Sequence, residues 1–238
     1  MTQNNILYKD IGRVGYDEGL RQQYEFHDKI VDIKLKNKNN PEGSRMQTQS
    51  ALLFCEHNPV YTLGKSGKIN NLIFSEDVLV QKGIEFKNTN RGGDITYHGP
   101  GQIVGYPIFD LDYFYHDVHR YVRDIEEVII LTLQNYGLEG MRIKGATGVW
   151  LKDSEVEQYR KVCAIGIHIS RWVTLHGFAF NINTDLDYFS GIIPCGIQDK
   201  NKSVTSISKE LGLKIEMDEV KELLLKNFEK VFDVTIFE

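Results

Sequence analysis

Little in this sequence suits a disulfide scaffold, a membrane span or a secreted chain. It holds three cysteines, Cys55, Cys163 and Cys195. An odd number without recurring spacing argues against a disulfide framework and for a reducing cytosol. No run of 18 apolar residues of the kind a membrane helix needs occurs anywhere. Met1 to Asn5 lacks the basic start and apolar stretch of a signal peptide, so a cytoplasmic location and no membrane partner are expected. Excess positive charge is missing too. The 28 Lys and Arg are outnumbered by 33 Asp and Glu, a formal charge of −5, and nucleic-acid binding relies on clustered cations to neutralise phosphates. No nucleic-acid partner is expected. His116 and His119 lack further His or Cys neighbours at metal-ligand spacing and read as a solvated helix start, so no metal is expected.

What is present fits one large catalytic domain over residues 1–238. A chain of this size buries roughly 70–75% of the surface its unfolded form exposes. Ile6 to Ile11 reads as a short strand. Near-helical spacing of Leu20, Tyr24, Ile30 or Val31, and Leu35 predicts a long amphipathic helix from Asp17 to about Lys36, with Asp17 as N-cap. Residues 37–49 are polar and rich in breakers, which predicts an exposed loop. Ala51 to Cys55 is a compact apolar run that fits a buried strand leading into a His57 to Gly64 turn, with Cys55 as a small core residue. Ser75 to Gly83 carries the signature of a short helix.

Ile103 to Leu111 is an apolar strand whose Pro107 suggests an edge or a bulge. Asp117 to Tyr136, stopped by Gly137, has the clearest apolar stripe of any helix. Arg142 to Leu151, Val162 to Ile169 and Trp172 to Ile182 predict an antiparallel meander. Ser203 is placed as the cap of a short helix ending near Gly212, and 214–238 is placed as a C-terminal helical segment opened by Asp218. This order of elements predicts an α/β (α+β) fold, with a mixed, largely antiparallel sheet flanked by helices.

The most unusual stretch is Arg91-Gly92-Gly93-Asp94-Ile95-Thr96-Tyr97-His98-Gly99-Pro100-Gly101-Gln102. Four glycines and a proline in twelve residues predict neither a helix nor a regular strand interior. Two phosphate-loop readings fail on spacing. Gly99 to Gly105 is one residue too long for the dinucleotide fingerprint, and Gly64-Lys65-Ser66 has Pro59 where a P-loop needs its first glycine. A plain hairpin turn accounts for the glycines, but not for Arg91, Thr96, Tyr97, His98 and Gln102 crowded beside them.

The stretch resembles the signature of the lipoyl(octanoyl) transferases of the biotin/lipoate protein ligase superfamily. His57 to Gly64, Lys161-Val162-Cys163-Ala164-Ile165-Gly166, His176 to Asn181 and Pro194-Cys195-Gly196 match further family motifs in order and over most of the chain. The resemblance implies a biotin/lipoate protein ligase-like fold. It also implies an acyltransferase without cofactor, which moves an octanoyl group from octanoyl-acyl carrier protein through a cysteine thioester. The acceptors it implies are lysines on the lipoyl domains of 2-oxoacid dehydrogenases and on the glycine cleavage H protein. By the same resemblance Cys195 carries the acyl group and Lys161 is the catalytic base. An ammonium near a thiol favours the thiolate, and a buried lysine can accept its proton.

The expected acyl pocket is lined by Arg91, Gly92, Gly93, Asp94, Ile95, Thr96, Tyr97 and His98, by Ala164, Ile165 and Gly166, and by Gly177, Phe178 and Ala179. His98 and His176 are open between proton transfer and loop orientation. Cys163 shares strand parity with Lys161, which is expected to keep it from acting as a second nucleophile. An ATP-dependent lipoate or biotin ligase, a lipoyl amidotransferase and a non-catalytic binding module remain as alternative readings.

Overall fold

The computed structural model describes residues 4–41, 44–153, 155–194 and 201–238. Its large sheet begins with β1 (Asn4–Val14), β2 (Ser50–His57) and β6 (Gln102–Ile108), and continues through β10 (Val173–Asn181), β9 (Tyr159–Ser170), β8 (Ala146–Lys152) and β7 (Gly140–Ile143). The edge strand β12 (Val234–Phe237) lies beside β1, and β11 (Lys202–Val204) pairs with β9. β1 runs parallel to β2 and β12, β11 runs parallel to β9, and the other named pairs are antiparallel. The expected mixed, largely antiparallel sheet is therefore found, and β8, β9 and β10 form the expected meander, but the expected first strand, Arg142 to Leu151, is broken by a turn at Lys144 and Gly145 into β7 and β8.

A second sheet was not foreseen. β3 (Val60–Leu63) lies between β4 (Glu85–Asn88) and β5 (Ile95–His98), parallel to the first and antiparallel to the second. Each strand has four residues, too few to show a period in sequence. Two expectations change with it. The stretch from His57 to Gly64 is the end of one strand, a turn at Asn58 and Pro59, and then β3. Ile95 to His98, inside the glycine-rich stretch, is a strand because β3 supplies its backbone partners.

β2 shows how the layers form. Ser50 to Cys55 is buried throughout, but alternate residues serve different cores. Leu52 and Phe54 join the cluster under α3 (Val118–Gln134) and α5 (Met217–Phe232), where Phe109, Phe178, Phe228 and Phe232 also pack. Ala51, Leu53 and Cys55 join the cluster under α1 (Tyr16–Asn37). Cys55 is thus the small core residue expected. A third cluster of Tyr61, Ile95, Tyr97 and Ile192 sits on the small sheet with α2 (Glu76–Lys82).

Several boundaries differ from the sequence reading. β1 extends past Ile6–Ile11 because β2 and β12 pair with its less apolar ends. Gly15 is the N-cap of α1, while Asp17 sits in the first turn and binds Lys87 at 2.6 Å. Ser203 lies in β11; Ser206 caps α4 (Ile207–Leu211) by accepting the Lys209 N–H. The 214–238 segment is not helical to its end, since Asp233 takes φ +53° and β12 follows. Within 37–49, Asn37 closes α1 and its side chain bonds both Met46 backbone groups.

Pro107 lies in the interior strand β6, not at an edge. Its pairing with β10 has already stopped at Gly105, opposite Phe178, so no ladder bond is lost for want of an N–H. β10 is irregular at the same point, with His176 at φ +60°.

Candidate active site

A cavity of about 320 Å³ opens between β5 of the small sheet, the β6, β10 and β9 segment of the large sheet, and Tyr16 at the start of α1. That size falls in the ordinary range for small-molecule sites. Space exists because facing positions carry small side chains. Ala164 pairs with Ala179, which pairs in turn with Val104, and Gly166 pairs with Gly177. At Gly177 no side chain fits, since a Cβ would stand 2.1 Å from the Gly105 carbonyl oxygen.

One end of the cavity rests on a connected polar network. Arg91 is 8% exposed. Its guanidinium donates to the Thr62 carbonyl at 2.5 Å, to Thr62 Oγ1 at 2.9 Å and to the Gly92 carbonyl at 3.0 Å. Gln102 donates its amide to the Tyr97 carbonyl and to Asn181 Oδ1, so its oxygen accepts from His98 Nδ1–H at 2.9 Å. His98 Nε2 then accepts from the Thr62 hydroxyl at 3.2 Å. With partners on both ring nitrogens, His98 is held as a neutral, oriented imidazole.

His57 and His176 are neutral as well. His57 donates from Nδ1 to the Val14 carbonyl and accepts from the Tyr106 hydroxyl at 2.6 Å. Burial pushes it down to about 4. His176 donates to Asn90 Oδ1 at 2.6 Å, and burial followed by the nearby Arg91 charge lowers it to about 3. Burial, then His57 and Arg91, holds His98 well below its ordinary 6.5. At neutral pH these rings orient and accept hydrogen bonds; they do not supply positive charge.

Lys161 enters the cavity from β9, 9% exposed, with Nζ 4.5 Å from the centre of the Trp150 ring. Its neighbour Cys163 is not beside it. Val149 pairs with Cys163 and Trp150 with Lys161, so β9 carries one extra residue there, a β-bulge. The bulge breaks the shared parity expected from sequence. Val162 and Cys163 both reach the large core, while Lys161 reaches the cavity. Burial, with Glu126 adding to it, raises the Cys163 thiol well above its ordinary value. Cys163 is thus an inert core residue, on different grounds from those expected.

The residues singled out in the sequence mostly meet here. Arg91, Gly92, Gly93 and Asp94 line the cavity, and so do Ile95, Thr96 and His98. Ala164, Ile165 and Gly166 form part of its wall, with Gly177, Phe178 and Ala179 beside them. Phe178 packs its ring in the large core and borders the cavity where its strand passes. Tyr97 is not among the lining residues. One step along β5 from His98, it faces the third cluster and stacks on Tyr188 with centroids 4.8 Å apart. Cys195 lies outside the described residues; Pro194, directly before it, lines the cavity. Among the described residues no His, Cys, Asp and Glu cluster is arranged to hold a metal.

Sequence reasoning singled out Gln102 beside the glycines without placing it in the pocket, and had not placed Thr62, Asn181, Tyr16 and Tyr106 in the site. Thr62 and Asn181 stood inside quoted motifs as polar residues flanked by apolar ones, the available signal. Nothing in the sequence ties Tyr16, at the start of a helix, to a cavity built by distant strands.

Comparison with known proteins extends these observations. A sequence model described as the lipoyl protein ligase A/B catalytic domain matches residues 36–229. The chain is 52% identical over 232 residues to an octanoyltransferase of Christiangramia forsetii, covering 97% of each. It is 51% identical to an octanoyltransferase of Flavobacterium psychrophilum, covering 97% of this chain and 98% of that one. Among solved structures, the bi-partite lipoate protein ligase of Thermoplasma acidophilum superposes with a TM-score of 0.67 at 16% identity, covering 100% of this chain and 87% of that one. Lipoate-protein ligase A bound with ATP gives 0.65 at 16% identity, covering 100% and 89%. At such identities the structural likeness shows the shared fold alone.

Proposed function

The chain belongs to the lipoyl protein ligase A/B catalytic domain family, and on that footing we propose that it is an octanoyltransferase of protein lipoylation. The observation that carries this reading is the identity of about half the residues, along nearly the whole of both chains, with proteins named octanoyltransferase. The donor is octanoyl-acyl carrier protein, and the acceptors are lysines of lipoyl domains. The location is cytoplasmic; no helix among the described residues is long and apolar enough to cross a membrane.

In this reading the Cys195 thiol gives its proton to Lys161 and attacks the thioester carbonyl of the donor. The carbon–sulfur bond to the donor breaks, and the departing thiolate takes the proton back from Lys161. The acceptor amine then attacks the Cys195 thioester. An amide forms, the Cys195 sulfur leaves, and the proton released by the amine passes through Lys161 to that sulfur. Support comes from Lys161 and Pro194 lining one cavity. The small residues at 164, 166, 177 and 179 leave room for an alkyl chain, whose burial is worth about 0.8 kcal/mol per methylene.

The test is transfer from octanoyl-acyl carrier protein to a purified lipoyl domain, with and without ATP, read as mass gained by the acceptor. Transfer without ATP is expected. A requirement for ATP supports the ligase reading instead, and transfer only from an already lipoylated protein supports an amidotransferase.

A further inference from the structure

Glu126 on α3 has no part in the mechanism above, yet it is 1% exposed and three donors converge on it. Its Oε1 accepts the Gly148 N–H at 3.0 Å, and its Oε2 accepts from Arg123 at 2.5 Å and from Arg142 Nε at 3.1 Å. A carboxylate buried this deeply is costly unless its partners are well placed. Of the two arginines, Arg142 does not depend on it alone. Arg142 also donates to Glu127 at 2.6 Å and to the Arg123 carbonyl at 2.9 Å. Among the described residues Glu126 is the side chain that holds the Gly148 N–H, and Arg123 ties the same carboxylate down from its own helix.

Gly148 stands at the bulge that separates Lys161 from Cys163. It adopts φ +117°, a conformation that side-chain-bearing residues rarely take. A Cβ there would lie 2.4 Å from the Cys163 carbonyl oxygen and 3.6 Å from Lys161 Cε. The strand thus passes Gly148 directly against the lysine stem. Next to it Val149 pairs with Cys163 and Trp150 with Lys161, the one-residue offset that turns Lys161 into the cavity. Trp150 then carries the ammonium over its ring and is itself tied by its indole N–H to the Ala146 carbonyl.

We infer that Glu126 is a positioning residue for Lys161: by holding the Gly148 N–H it fixes the β8–β9 bulge that directs the lysine into the cavity. The kinetic consequence rests on the octanoyl-transfer reading; the chemical consequence does not.

The experiment compares two variants of unchanged length. Glu126→Gln keeps an oxygen for the Gly148 N–H, whereas Glu126→Met removes every acceptor. Each is assayed for kcat and KM with octanoyl-acyl carrier protein. Each is also assayed for the rate at which an acetylating reagent labels Lys161, read by peptide mass spectrometry with surface lysines as internal controls. A lysine displaced by about 1 Å loses on the order of a hundredfold in kcat. That loss is expected for Glu126→Met, with KM little changed and Lys161 labelled at an altered rate. Glu126→Gln should stay within about tenfold of wild type in kcat and label Lys161 as wild type does. If Glu126→Met does not fold, Glu126→Asp, whose carboxylate falls one methylene short of Gly148, takes its place with the same expectation. Equal behaviour of both variants in kcat per folded molecule and in Lys161 labelling overturns the inference, leaving Glu126 a partner of two arginines. A wild-type protein that transfers no octanoyl group defeats the functional reading alone, because the labelling comparison still reports the lysine's position.

Discussion

The two faces of the large sheet are made from alternate residues of the same strands and have opposite characters. On the α3 and α5 side, Ile103, Phe178, Phe180 and Cys163 pack into a continuous apolar core. On the other side, the apolar cluster under α1 gives way at Val104, Ala179, Ala164 and Gly166 to a cavity lined by Arg91 and by the neutral His98 and His176. The comparison teaches that the site is made by omission as much as by functional groups. Large residues on one face give the strands a rigid support, and small residues at the same registers on the other face make room. The bulge in β9 is where this division is locally broken, since Val162 and Cys163 both turn to the core and Lys161 is left to the cavity.

The sharpest way to break the comparison is to exchange effects between the faces. Phe180→Ala, on the dry face, is expected to destabilise by about 4 kcal/mol through lost burial and a cavity, with transfer per folded molecule unchanged. Denaturant unfolding and an activity assay on the same sample check both parts. Lys161→Ala, on the open face, should do the reverse. Transfer falls by about a thousandfold, in the range of general acid–base catalysis, while the unfolding midpoint stays close to wild type. A lysine variant that loses stability and keeps its rate places Lys161 with the core instead.

The pH dependence of stability belongs to the open face. In the unfolded chain each imidazole takes up a proton near 6.5, whereas folded His57 stays neutral down to about 4 and folded His176 down to about 3. Between those limits the unfolded state binds more protons, so stability falls as pH drops below 6.5 and gains nothing from these groups above it. The slope is about 1.4 kcal/mol per pH unit for each histidine. Urea unfolding between about pH 7.5 and pH 5, repeated on His57→Gln, should show the slope reduced in the variant; an unchanged slope removes His57 from the account. The smallest effect is expected from Ala164→Val. Filling part of the cavity should cost about 1 to 2 kcal/mol in kcat/KM for an eight-carbon donor, with a six-carbon donor less affected. Parallel assays with the two donors check it.

Much of this architecture was legible because its signals repeat. The stripe on Val118 to Gln134 and the continuous apolar run of β2 each offer several residues of one pattern, and both elements appear where the sequence puts them. What was not legible is set by pairing across distance. β3, β4 and β5 are short and take their backbone partners from one another, and β12 exists because β1 offers it an edge. The same holds for the site. The glycine-rich stretch marked the cavity, but Tyr97 faces away from it because β5 is a strand with two sides. The separation of Lys161 from Cys163 depends on a bulge whose cause, the Glu126 contact to Gly148, comes from a helix over twenty residues earlier in the chain.

The account is tested most directly by the intact mass of the protein after brief mixing with octanoyl-acyl carrier protein, with no ATP and no acceptor present. The account predicts a mass increase equal to one octanoyl group, mapped to Cys195 and absent in Cys195→Ala. An unmodified protein that nonetheless transfers octanoyl groups, or an adduct that persists in Cys195→Ala, would contradict it.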